Sequence, residues 1–134
     1  MNGVLPDTSV WILFFRKPGD PLVKEALTRA LVEGRVYLAP LVLAELIQGA
    51  RSDKEAELLK TNLLALPEAP HGTGVWLRAG KLGQKLRKKG RTVPLTDLAI
   101  AASAETGGLE LWHADRHFEA IATIADLKLR SFYP

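Results

Sequence analysis

Four carboxylates stand at points in this 134-residue sequence where they could act together. Asp7 closes the short apolar run "GVLP", and Asp115 follows "LELWHA". Asp97 comes after "VPL" and opens the helical stretch "DLAIAASA". Glu45, in "PLVLAELIQGA", is the only charged residue between Tyr37 and Ala50. Oxygen donors of this kind favour Mg²⁺ or Mn²⁺ over zinc. Such a cation suits phosphodiester hydrolysis, because it polarises the phosphate and helps a water ionise.

Each acid also has an ordinary alternative. An Asp at a helix start caps free backbone N–H groups and contributes about 1 kcal/mol. Glu45 escapes that explanation, since its helical neighbours Leu41, Val42 and Gly49 are uncharged and a lone charge in apolar surroundings is costly. If the four converge, two carboxylates about 5 Å apart repel by about 3 kcal/mol at an effective dielectric of about 20. Several such pairs rival a domain's stability of roughly 5–15 kcal/mol. A multivalent cation must then neutralise them, or some must hold protons.

A second constellation overlaps the last acid. His113, Asp115 and His117 alternate through "LWHADRHFEAI", and an extended chain would point all three one way. A zinc site would want both imidazoles plus a third protein ligand, and the only other histidine is His71, in the loop-like "APHGTG". A strand is expected to give way to a helix at Asp115, which separates the two rings. On that expectation Asp115 is the working member and His117 a first-turn helix residue rather than a ligand. The role of His113 stays open.

The elements that must position these groups alternate along the chain. "GVLPD" is a buried strand whose Leu5 is held extended by Pro6. "TSVWILFF" is a short apolar helix that breaks near "KPGDP". A second helix starts at Pro21 and runs to about Glu33, with Gly34 as its stop. "RVYLA" is expected as a strand. Helices follow from Pro40 to about Gly49 and over "SDKEAELLKTNLLAL", and "ALPEAP" holds a short strand. From Gly74 to about Lys89 the apolar Val75, Ala79, Leu82 and Leu86 recur at helical spacing. "TDLAIAASAET" is a helix ended by Gly107-Gly108, "LELWH" a strand, "RHFEAIATIA" a helix and "LKLRSF" a last strand. This alternation predicts an α/β fold with a mainly parallel sheet covered by helices on both faces, a three-layer α/β/α sandwich. In such a sheet ligands bind outside the carboxyl ends of the strands, where Asp7, Asp97 and Asp115 are expected.

Length and composition fit one domain over residues 1–134, with 47% apolar and 25% charged residues. Without cysteine there is no disulfide, thiolate zinc site or thiol nucleophile. No apolar run is long enough to span a membrane, and the start lacks the pattern of a signal peptide; a cytoplasmic location is expected. The net charge of +3 is unevenly spread. Residues 78–91 carry seven Lys or Arg and no acid, leaving 11 basic against 15 acidic residues elsewhere.

The motifs "LPDTSVWI", "LAELIQGA", "PLTDLAIAASA" and "ADRHF" together resemble the four acidic motifs of PIN domains, in particular the VapC-like toxins of toxin–antitoxin pairs. The resemblance spans nearly the whole chain, with the motifs in order. It implies a Mg²⁺- or Mn²⁺-dependent endoribonuclease on a parallel α/β/α sandwich. Asp7 and Asp97 then become the main metal ligands, Asp115 completes the shell or orients waters, and Glu45 serves a second metal or a water. Thr8, Ser9 and Thr96 flank these acids and could bond them or a phosphate, or simply cap helices. Two residues depart from the pattern. Pro6 replaces an apolar residue with a free N–H, and His113 stands where Thr or Ser is common.

Arg78, Lys81, Lys85 and Lys88 form a stripe that could track RNA phosphates or be a solvated helix face. Trp11, Phe14 and Phe15 are too bulky and close together for one core. Either one of them is a scattered exposed aromatic, or the set forms a binding face. The resemblance implies two protein partners, a second copy of the chain and a cognate antitoxin. A different class is a non-catalytic cation-binding module, such as a signalling receiver. That class wants paired acids after the first strand, and here Asp7 stands alone.

Overall fold

The computed structural model describes residues 2–133. Its named elements are β1 (Val4–Pro6), α1 (Thr8–Phe15), α2 (Pro21–Val32), α3 (Pro40–Gln48), α4 (Asp53–Leu63), α5 (Thr73–Lys88), α6 (Leu95–Gly107), β2 (Glu110–His113), α7 (His117–Ala122) and β3 (Leu129–Ser131). The three strands pair in the order β1-β2-β3, all parallel. Helices cover both faces of the sheet. Val4, Leu5 and Pro6 are consecutive and all buried, although successive residues of a strand point to opposite faces.

"RVYLA" is not a full strand. It forms two single parallel bridges, Val36 to Val4 and Leu38 to Glu68. The cause lies in its hydrogen bonds, which alternate between neighbours. Tyr37 N donates to Val4 O, whereas Leu38 N donates to Pro67 O on the other side. A ladder divided this way never makes two successive pairs with one partner. The sheet nonetheless continues through these bridges, so that residues 35–38 and then 67–69 extend it beyond β1.

This order fixes where a site can form. From β1 the chain moves to one side, through residues 35–38 and 67–69, then returns to β2 on the other side of β1. The crevice between the carboxyl ends of β1 and β2 is therefore a topological switch point. Asp7 directly follows β1, and Asp115 lies two residues past β2.

Helix α6 supplies the third wall. Every residue from Leu98 to Ala104 is buried, as expected of a helix packed on several sides. Its alanines let α5, β2 and α3 approach. Gly108, at φ 62°, ends it in the left-handed conformation that glycine adopts without strain. Helix α5 buries Val75, Ala79, Leu82 and Leu86, the four residues at helical spacing in the sequence.

The two glycines inside α5 differ in kind. A methyl group at Gly83 would sit 2.9 Å from Leu98 Cδ1, so Gly83 allows the close approach of α6; one at Gly80 would meet nothing. Gly80→Ala is therefore expected to stabilise the protein by about 0.5–1 kcal/mol. Gly83→Ala should gain less, because the buried Leu98 must shift. Urea denaturation of the two variants measures the difference, and a larger gain at Gly83 would contradict it.

On α1, Trp11 is buried and Phe15 partly exposed, with ring centroids 5.7 Å apart. Phe14 meets both rings edge-on. The set is thus core plus a partly exposed ring. No helix among the described residues is long and apolar enough to cross a membrane.

Candidate functional site

The four acids converge at this switch point. Asp7 is 4% exposed and caps α1, accepting hydrogen bonds from Ser9 N (3.1 Å) and Ser9 Oγ (2.6 Å). Both fall on Oδ2. Burial is the main influence on this carboxyl and raises its pKa; the Ser9 bonds oppose the rise and the charge of Glu45 adds to it. Ser9 Oγ also accepts from Ala114 N at 3.0 Å. One hydroxyl thereby ties the first acid to the loop that carries the last.

Glu45, half-buried on α3, accepts a 2.6 Å hydrogen bond from Thr8 Oγ1. Thr96, beside Asp97, makes no side-chain hydrogen bond among the described residues. Asp97 lies in the first turn of α6 and does not cap it; the cap position is Pro94. Its side chain is 14% exposed. Burial, followed by the charges of Asp7 and Asp115, pushes its pKa up to about 6 against the opposing His117 hydrogen bond. Asp7 senses Glu45, and Asp97 senses Asp7 and Asp115. These pairs link the four acids in a chain, Glu45 to Asp7, Asp7 to Asp97 and Asp97 to Asp115.

His117 does more than the sequence reading assigned to it. It is the first residue of α7 as expected, but its Nδ1 lies 2.6 Å from Asp97 Oδ2 and 3.2 Å from Asp115 Oδ1. Asp115 Oδ1 accepts His117 N at 2.8 Å, a tight turn between residues two apart. Contact between α6 and α7 then brings the ring onto Asp97. One ligand atom from each of Asp97, Asp115 and His117 lies within 4.8 Å of the others. The only sequence signal was the two-residue spacing inside "DRHF".

His113 is fully buried and packs on Phe118 with ring centroids 5.2 Å apart. Its Nδ1 accepts the backbone N–H of Asp115 at 3.2 Å. The neutral ring therefore carries its proton on Nε2. Nε2 lies 3.3 Å from Glu119 Oε1 but off the direction a hydrogen bond requires. His113 thus holds the backbone of Asp115, not its carboxylate.

The basic stripe is not uniform. Arg78 is held by Glu105 through Nε at 2.7 Å and Nη2 at 3.0 Å, a two-point tie between α5 and α6. Lys81, Lys85 and Lys88 are exposed.

A parallel α/β/α sandwich with four acids at its switch point defines the class of protein, and a family model described as "PIN domain" matches residues 4–124. The chain is similar to Ribonuclease VapC11 of Mycobacterium tuberculosis, 31% identical over 133 residues, covering 96% of this chain and 98% of that protein. It is also similar to Ribonuclease VapC21 of that organism, 34% identical over 107 residues and 78% of each. The chain belongs to the PIN-domain family, in its VapC-like toxin branch. Among solved structures, DNA-bound VapBC from Salmonella typhimurium shares the fold at a TM-score of 0.80 and 22% identity, over 98% of each chain. FitAcB from Neisseria gonorrhoeae does so at 0.76 and 23%, over 94% of this chain and 95% of that one.

Proposed function

We propose that this protein is the endoribonuclease toxin of a toxin–antitoxin pair and hydrolyses RNA phosphodiester bonds with Mg²⁺ or Mn²⁺. Membership of the PIN and VapC-like families supports ribonuclease activity in general. The observation that carries the metal is the cluster of Asp97, Asp115 and His117, whose ligand atoms lie within 4.8 Å of one another; the raised pKa of Asp97 agrees with it. The donor set fits a hard divalent cation, and the His117 nitrogen favours Mn²⁺ over Mg²⁺.

In this reading Asp97 and Asp115 hold the ion with His117, and Asp7 offers a further oxygen. Glu45 orients a water or serves a second ion. A bound cation supplies charge neutralisation at the phosphate and a more acidic water. The protein supplies rigid placement. Ser9 fixes Asp7 against the loop before Asp115, His113 fixes the Asp115 backbone, and Thr8 fixes Glu45. A cognate antitoxin and a second copy of the chain are the proposed protein partners. The solved relatives from Salmonella typhimurium and Neisseria gonorrhoeae are described as VapBC and FitAcB.

The test is digestion of single-stranded RNA by the purified protein with Mn²⁺, with Mg²⁺ and with EDTA, beside Asp7→Asn. Cleavage that needs the cation and is lost in Asp7→Asn supports the reading. Cleavage in EDTA, or an unimpaired Asp7→Asn, refutes it.

Arg78 is held by Glu105, whereas Lys81, Lys85 and Lys88 have no ion-pair partner among the described residues, and Lys81 donates only to the neutral Gln84. The double variant Lys81→Gln/Lys85→Gln is expected to bind RNA more weakly. Each lost phosphate contact lowers the slope of log affinity against log salt by about 0.7, so the pair should lower it by about 1.4. Fluorescence anisotropy at several salt concentrations measures this, and an unchanged slope removes the stripe from RNA binding.

A further inference from the structure

We propose that Arg91, Arg116 and Tyr133 form a subsite for a nucleotide of single-stranded RNA next to the acidic centre, with the base stacked on Tyr133 and its phosphate held by the two guanidinium groups. The proposal rests on the ribonuclease reading above and adds the residues that would receive the substrate. A cleft of about 510 Å³ opens beside Asp115 and His117, and these three residues line its rim. Its size falls within the range of small-molecule sites, about 300–1,000 Å³. Asp115 is the one acid along its wall. The cleft therefore pairs a negative end, where a cation would sit, with a positive flank one side chain away.

Arg116 and Tyr133 are bonded to each other, and no other residue among those described pairs with the three side chains. Arg91 is exposed and has no side-chain hydrogen bond or ion pair among the described residues. It is the last member of the basic segment 78–91, and it enters the cleft while Arg78 is held by Glu105. Arg116 donates through Nε to Tyr133 Oη at 2.9 Å, with its guanidinium carbon over one face of the ring, 5.6 Å from the centroid, so a base would stack on the other face. That bond uses the inner nitrogen, so both terminal amines remain for a phosphate, which a guanidinium can grip at two points. Tyr133 is 45% exposed and its hydroxyl is oriented by Arg116. An exposed aromatic held in place beside two cations suits a nucleotide better than an acidic peptide, which would use the charges and leave the ring idle. Unpaired RNA bases are commonly bound by such stacking, which tolerates every base.

Binding of a fluorescein-labelled single-stranded RNA decamer to the full chain in EDTA tests the proposal without cleavage. Tyr133→Leu is expected to weaken binding by about 5- to 160-fold, the range for losing one stacked base. Tyr133→Phe keeps the ring and should stay within about threefold of wild type. Arg91→Gln/Arg116→Gln should lower the salt slope by about 1.4. Wild-type affinity in Tyr133→Leu, or an unchanged slope in the arginine variant, overturns the subsite. Loss of antitoxin binding with RNA binding intact overturns it too and gives the cleft to a protein partner. If the wild type neither cleaves nor binds RNA, the ribonuclease reading fails and the subsite with it. If it cleaves RNA while the variants bind normally, only the subsite fails.

Discussion

Asp97→Asn is expected to abolish RNA cleavage and, in the same protein, to raise the stability of the metal-free fold at pH 8. Losing an outer partner of a metal ligand commonly costs about 10–100-fold, so loss of a proposed ligand should exceed about 100-fold. The stability gain follows from the pKa of Asp97, raised to about 6 from the ordinary aspartate value of 3.8. Well below pH 3.8 the carboxyl is protonated in both folded and unfolded chains. As pH rises the unfolded chain releases the proton first, so the native fold loses stability until pH passes about 6. The shift corresponds to at most about 3 kcal/mol. Screening by water at the partly exposed Asp97 side chain lowers this to about 1–2 kcal/mol. Asparagine keeps an oxygen for His117 and removes the charge that Asp7 and Asp115 oppose. Urea denaturation in EDTA should therefore show Asp97→Asn more stable than wild type at pH 8, with little difference at pH 4. A variant that cleaves at the wild-type rate, or is less stable at pH 8, contradicts the role assigned to Asp97.

Part of this site is legible along the chain and part is not, for a physical reason. Glu45 shows itself through local contrast, one charge in an apolar helix. Asp7 and Asp115 show themselves by following apolar strands, because a parallel sheet brings its carboxyl ends to one edge. The fold itself follows from the alternation of strands and helices, which depends on near neighbours in sequence. What the sequence does not reveal arises where side chains meet across elements. His117 reaches Asp97, 20 residues away, only once α7 packs on α6. Arg78 meets Glu105 across 27 residues and leaves the stripe it belongs to by spacing. The short turn joining Asp115 to His117 was local, yet its effect lay in the ring it aimed. Residues 35–38 look like a strand because their composition is that of one. Their divided ladder depends on which neighbours the rest of the chain supplies on either side.

Adding Mn²⁺ at pH 8 should raise the melting temperature of the wild type by about 10 °C, and by about half as much at pH 5. A ligand at 100 times its dissociation constant stabilises the native state by about 2.7 kcal/mol. For a chain of this length each kcal/mol is worth roughly 3–5 °C. The same carboxylates that destabilise the empty site as pH rises are the ones a cation needs ionised, so protons and metal compete for them. At pH 5 a carboxyl with a pKa of about 6 is roughly nine-tenths protonated. Apparent affinity then falls about tenfold, and the gain drops to about 1.4 kcal/mol at the same Mn²⁺ concentration. Mg²⁺ at that concentration should give a smaller shift, because it gains less from the His117 nitrogen. His117→Ala should therefore narrow the gap between the two ions. Differential scanning fluorimetry at both pH values, with EDTA as the baseline, reads all of these shifts. Equal shifts at pH 5 and pH 8 would show that Asp97 does not hold the ion, since its protonation would then be irrelevant. No shift in Asp97→Asn beside a full shift in the wild type would place the cation at this carboxylate by a measurement independent of cleavage.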